Sequence, residues 1–230
     1  MKRFYKAVTV EAQDAGFAVL LDGRTVKTPG RAVLTLPTGA LADAVAGEWD
    51  VQDDAITPDT MPLTRHANTA IDRIAGQREP VIGEIVSFAA TDTICYRADY
   101  PPELTEREAE AWQPVLVWLR EAYGAALVTA SGIIHQPQPD DALDRLRGVV
   151  SDYDEFRLAA LHTLTTVSGS LALALAVAGG RTPAAEAFEL SQIDETFQAE
   201  RWGLDSQAQV RRDRLRGEMI AAGRFLDLLG

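Results

Sequence analysis

The sequence predicts an α+β protein, with a small β-rich N-terminal part followed by a mostly α-helical C-terminal part. Short apolar, β-branched runs separated by turn residues fill the first third. From about residue 78 onward the apolar residues recur at helical spacing instead. A hydrophobic fraction of 47% with 24% charged residues is ordinary globular composition and argues against disorder. The change of period divides the chain into a β-rich domain over residues 1–78 and a helical domain over 79–230.

The strands come first. Phe4 to Val10 is apolar and β-branched, and Phe17 to Leu21 follows a polar turn. Asp22-Gly23 is a tight-turn pair that returns the chain as Arg24 to Thr28. Ala32 to Leu36 adds a short strand closed by Pro37. Thr38 then reads as the N-cap of a helix reaching about Asp53. A second helix is expected from Pro62 to Arg73, and a third carries Val81, Ile82, Ile85, Val86 and Ala89. After the break at Thr91 to Arg97 and the Pro101-Pro102 pair, Glu103 to Tyr123 is helical, with Pro114 inside it. Further helices are expected over 140–150, 152–178 and 183–201, and a last one carries Leu215, Met219, Ala222, Leu226 and Leu229. Gly179-Gly180 reads as a helix C-cap.

Charge and motif content exclude several functions. With 22 basic and 34 acidic residues the net charge is −12, which disfavours nucleic acid, since phosphate binding draws its affinity from cations. The apolar stretch 158–178 carries His162, Thr163, Thr165, Thr166, Ser168 and Ser170 in its first half, so it reads as a buried helix rather than a membrane span. No phosphate loop or dinucleotide fingerprint occurs, so no nucleotide and no other cofactor is expected. His66, His135 and His162 are scattered, and the single Cys95 has no cysteine partner, so neither a metal site nor a disulfide is expected. The chain shows no apolar signal-peptide core and no Arg/Ser-rich leader.

Four tryptophans stand out, Trp49, Trp112, Trp118 and Trp202. Trp112 and Trp118 read as core; Trp49, beside Glu48, and Trp202 read as candidates for an interface. In one helix, Phe188, Glu195 and Trp202 fall seven residues apart and share a stripe, while Leu190, Phe197 and Leu204 form a second. Two readings of Glu195 follow. Either it anchors a cation on a partner, or it is held by an internal arginine such as Arg97, Arg211, Arg212, Arg214 or Arg216. Asp194 and Glu195 also allow a hydrolase or lyase using this pair with a histidine. Neighbours on a helix point about 100° apart, however, and do not converge on one bond.

The order Arg3-Phe4-Tyr5-Lys6, Leu21-Asp22-Gly23-Arg24, Lys27-Thr28-Pro29, Glu48-Trp49-Asp50 with Gln52, and Met61-Pro62-Leu63-Thr64 is familiar. It continues with Thr91-Asp92-Thr93-Ile94-Cys95-Tyr96-Arg97, Trp112 with Pro114, and Asp194-Glu195 with Gln198 and Trp202-Gly203. Over nearly the whole chain this resembles the F(1)-ATPase assembly chaperone family, which escorts the alpha subunit of ATP synthase. The resemblance implies a chaperone rather than an enzyme. It would bind the free alpha subunit and prevent its aggregation until the beta subunit takes its place. It also implies a bacterial protein of the cytoplasm, where eukaryotic members act in the mitochondrial matrix. Glu195, Trp202, Phe188, Asp194, Gln198, Trp49 and Glu48 are the expected partner-binding residues.

Overall fold

A computed structural model describes residues 2–132, 134–203 and 205–230, and its contacts divide the chain into two units. The first comprises Met1–Arg78, Asp154–Ala160 and Arg224–Gly230; the second comprises Glu79–Tyr153 and Leu161–Gly223. The fold is α+β, with the main sheet near the N-terminus and helices thereafter.

In the first unit, β1 (Val8–Gln13) pairs antiparallel with β2 (Gly16–Leu21) in the register Val8↔Leu21 to Gln13↔Gly16. On its other side β2 pairs with β3 (Arg24–Thr25) and β4 (Thr35–Leu36). This central position explains why Ala18, Val19, Leu20 and Leu21 are all buried rather than alternating. The turn between β2 and β3 has positive φ at both Asp22 (48°) and Gly23 (77°), as a tight hairpin requires. The Asp22 carboxylate accepts the backbone N–H groups of Ala7 and Lys6, which holds its pKa below the ordinary carboxylate value.

Helix α1 (Gly39–Asp50) starts where expected: Thr38 Oγ1 accepts the Leu41 N–H at 3.2 Å. It covers the sheet with Leu41, Ala42 and Val45. Helix α2 (Pro62–Thr69) continues as a wider turn over Ala70–Ile74. The two later segments complete this core. The Phe225 ring lies 5.3 Å from the His66 ring and stacks on Phe156 at 6.4 Å. Phe225, which the expected stripe of the last helix omits, is fully buried.

Apart from Arg78, the second unit contains α3 (Arg78–Ala90), and with it α4 (Pro102–Tyr123), α5 (Asp140–Ser151), α7 (Leu171–Ala178), α8 (Ala184–Ser191) and α9 (Ile193–Trp202). It also holds most of α6 (Glu155–Ser168) and of α10 (Ser206–Leu229). A two-residue strand, β5 (Tyr96–Arg97), pairs parallel with β6 (Ala130–Ser131). Pro114 lies within α4, which runs on without a restart.

Two expected helices are each broken in two. The run 152–178 divides at Gly169, whose φ is +68°, and Ser170 begins α7 by accepting the Leu173 N–H at 3.0 Å. Asp92 supplies a second cap, accepting the Ala172 N–H at 3.0 Å, while its other oxygen accepts the Ile94 N–H at 3.3 Å. A Cβ at Gly169 would lie 2.5 Å from Thr93 Oγ1, so the glycine serves this close approach. The run 183–201 divides at Gln192 (φ −112°, ψ 20°), which separates α8 from α9. Leu171 to Ala176 are fully buried, as the apolar pattern predicts. Among the described residues, no helix is long and apolar enough to cross a membrane. Burial pushes the Cys95 thiol pKa up, which keeps it protonated and unreactive.

Candidate partner-binding surface

The break at Gln192 decides which residues α9 presents. The Trp112 indole N–H bonds the Leu190 carbonyl at 2.7 Å, and Ser191 Oγ bonds the Phe188 carbonyl at 2.7 Å, so the end of α8 is fixed from within. Phe188 is fully buried on α8. The stripe through Phe188, Glu195 and Trp202 is therefore corrected: Phe188 belongs to a different helix and supports the core. Leu204, in the second expected stripe, lies outside the described residues.

On α9, Ile193 and Phe197 are buried four residues apart, and this side faces α4. Asp194 is half-buried beside Glu108. Glu108 is fully buried; one of its oxygens accepts the Ala98 N–H at 2.7 Å, and Arg97 donates to its backbone carbonyl. Burial first, then the hydrogen bond and charge of Asp194, push the Glu108 pKa up to about 7. Two carboxylates this close favour a proton held on Glu108. The Arg97 guanidinium lies 5.1 Å from the Trp112 ring, so it is committed to this cluster and does not hold Glu195.

The opposite side of α9 carries Glu195, Gln198 and Trp202, at steps of three and seven, on one exposed face. Trp202 is 77% exposed, far more than a core tryptophan. Glu195 makes no ion pair among the described residues. Arg212 and Arg216 reach Glu189 at 2.8 and 3.0 Å and Arg214 reaches Glu218 at 2.8 Å, while Arg211 lines the same cavity as Glu195 and forms no ion pair among the described residues. Beside Glu195 opens a cavity of about 360 Å³, lined by Thr93, Ser168, Gln192, Arg211 and Leu215 among others. Arg107 and Arg201 pair with Glu200 (2.9 Å) and Glu103 (3.7 Å), bracing α9 against α4.

Asp194 and Glu195 thus face different surroundings, one half-buried against Glu108 and one in solvent. The histidines are engaged elsewhere: His66 with the Pro62 carbonyl (2.7 Å), His135 with the Tyr96 hydroxyl (3.0 Å), and His162 with Glu84 (3.2 Å). Among the described residues, no group of three His, Cys, Asp or Glu side chains is placed to hold a metal ion.

Glu48 and Trp49 lie in the first unit. Met61 offers no side-chain cap to α2, and Glu48 supplies it instead. Its carboxylate accepts the Leu63 N–H (2.7 Å), the Thr64 N–H (2.8 Å) and the Thr64 hydroxyl (2.8 Å). Burial raises its pKa, and these hydrogen bonds oppose the rise. Glu48 is therefore spoken for within the fold. Trp49 is half-buried, with its ring 5.9 Å from that of Tyr5. Sequence reasoning did not single out Glu108. Glu108 carries one signal, its position four residues before the buried Trp112 on the same helix face.

Known proteins match this architecture closely. The crystal structure of Atp12 from Paracoccus denitrificans superposes with a TM-score of 0.96 at 43% identity, covering 100% of this chain and 98% of that one. An Asp-to-Lys variant of the same protein matches with a TM-score of 0.96 at 42% identity, with the same coverage. The mitochondrial protein atp12 of Schizosaccharomyces pombe is 24% identical over 234 residues, covering 96% of this chain and 80% of the relative. The family model for the ATP12 chaperone protein matches residues 2–120. With half of its length matched by that model and its whole fold shared with solved Atp12 structures, the chain belongs to the ATP12 chaperone family.

Proposed function

We propose that this protein is an assembly chaperone for the F(1) sector of ATP synthase, acting in the bacterial cytoplasm. It holds the free alpha subunit and keeps it from aggregating until the beta subunit replaces it. An unassembled subunit of a hetero-oligomer exposes a large apolar interface, which is an aggregation hazard. The cover must be reversible, so it combines an aromatic anchor with charge. The observation that carries the reading is the exposed face of α9, where the 77% exposed Trp202 stands in line with the unpaired Glu195 and with Gln198. Asp194, half-buried behind that face, positions the helix through Glu108, and the buried Phe188 supports it from α8. Glu195 would take a basic group on the alpha subunit, and Trp202 would enter an apolar recess there.

The test is co-purification of the alpha subunit with the parent protein and with Glu195→Lys, Glu195→Gln and Trp202→Ala, alongside their melting temperatures. Charge reversal at an interface pair typically costs about 2–5 kcal/mol of binding. Binding is expected to fall in all three variants while melting stays within a degree or two of the parent. Undiminished capture by Glu195→Lys and Trp202→Ala together would reject α9 as the docking face. Failure of the parent to capture the alpha subunit at all would reject the function.

A further inference from the structure

The first unit carries a cavity of about 560 Å³, remote in sequence from α9 and lined by Phe4, Tyr5, Leu21, Val26 and Trp49, with Arg24 and Lys27 also in its wall. Its size falls in the range of sites that enclose a large side chain or small ligand. The aromatic wall is ordered: Phe4 meets Tyr5 edge-on at 5.4 Å, and Tyr5 meets Trp49 at 5.9 Å. The Tyr5 hydroxyl is anchored on the Trp49 carbonyl at 2.6 Å. Phe4 is nevertheless 65% exposed.

The Trp49 ring stands in the cavity wall, while its indole N–H is buried away from the open space. The wall is also cationic in a chain whose net charge is −12. Arg24 and Lys27 form no ion pair among the described residues. The one carboxylate in the lining, Asp22, accepts the N–H groups of Lys6 (3.1 Å) and Ala7 (2.9 Å) and offsets part of the charge of Arg24, which leaves the lining with one net positive charge.

We propose that this cavity is a second binding site, which takes an aromatic side chain from an acidic peptide segment of a partner protein. The ring fills the space between Phe4 and Trp49. Flanking Asp or Glu side chains of the segment meet Arg24 and Lys27. An anchor with charges on either side along a chain is the form that suits an apolar cavity with cations around it. The site does not depend on the alpha-subunit reading and can stand or fall apart from it.

The probe is a capped peptide, Asp-Glu-Phe-Glu-Asp, titrated into the full chain labelled with nitrogen-15. The Trp49 indole signal, assigned by its loss in Trp49→Phe, is expected to shift and saturate. Replacing the peptide's Phe by Ser, or its acids by Lys, should weaken binding about tenfold or more. The double variant Arg24→Glu/Lys27→Glu should do the same with an unchanged melting temperature, since both residues are exposed. A Trp49 signal that stays put at millimolar peptide overturns the proposal. So does equal binding of the Lys-substituted peptide. Concentration-dependent movement of that signal without any peptide would assign the cavity to a second copy of the chain and overturn it as well.

Discussion

Replacing Asp92 by Asn should change how stability depends on pH, and the size of the change follows from where the carboxylate sits. Asp92 is fully buried, accepts the Ile94 and Ala172 N–H groups, and is also bonded by the Ser170 side chain. Burial outweighs these hydrogen bonds and lifts its pKa from 3.8 to about 6. A carboxyl group that holds its proton more tightly in the folded state makes that state relatively more stable at low pH. The advantage is lost as pH rises from the unfolded value through the folded one. With about 1.4 kcal/mol per pKa unit, the loss between pH 4 and pH 7 is about 2–3 kcal/mol. Asn cannot titrate, and it turns a second donor toward one backbone N–H, which adds a constant penalty of about 1–3 kcal/mol. The informative quantity is therefore the slope and not the offset. Urea unfolding of parent and Asp92→Asn at several pH values supplies it, and groups present in both proteins, Glu108 included, cancel in the difference. The parent should lose ground relative to the variant as pH rises, with the change complete near pH 7. A difference that stays flat within about 0.5 kcal/mol over this range would refute the assignment of Asp92 as a buried, titrating helix cap.

Three further substitutions probe the framework. Glu48→Ala should cost about 2–4 kcal/mol in thermal or urea unfolding, because it strips the cap from α2 and leaves the Leu63 and Thr64 N–H groups without it. Melting like the parent would show that Glu48 is free for another role. Leu173→Asp should cost several kcal/mol, or prevent folding, by placing an unpaired charge at a fully buried position, as judged by soluble yield and circular dichroism. Gly169→Ala should lose about 2 kcal/mol or more, since the left-handed backbone and the 2.5 Å approach of Thr93 Oγ1 both oppose a Cβ; a chemical denaturation midpoint checks it.

The elements that were legible in the sequence are those whose cause is local. The Asp22-Gly23 turn, the Thr38 cap and the apolar run from Leu171 are written in neighbouring residues, and each stands in the structure. The breaks at Gly169 and Gln192 were not legible, because the apolar spacing continues across both. Gly169 and Ser170 mark the break locally, but the second cap of α7 comes from Asp92, some eighty residues earlier, and no periodicity reveals a cap delivered from that distance. Glu48 is a similar case, since its three hydrogen bonds reach residues 63 and 64. For the candidate surface, the family resemblance supplied Gln198, and spacing put Glu195 and Trp202 on one face. It also added Phe188, because an unbroken helix was assumed, and it could not tell that Arg97 was already committed to Glu108.

The composition of the first unit has a consequence for biosynthesis. Its sheet and first two helices are made early, yet the Phe225 ring that seals His66 and Phe156 is made only after nearly all of the rest. Thr38, at the start of α1, donates its hydroxyl to the carbonyl of Leu228, and Arg157 bonds the backbone of Gly230. A nascent chain holding only the first 78 residues therefore carries an unfinished core and must wait, partly open, for its final turn. Synthesis of residues 154–160 and 224–230, rather than of the sheet, is the step that lets this unit close.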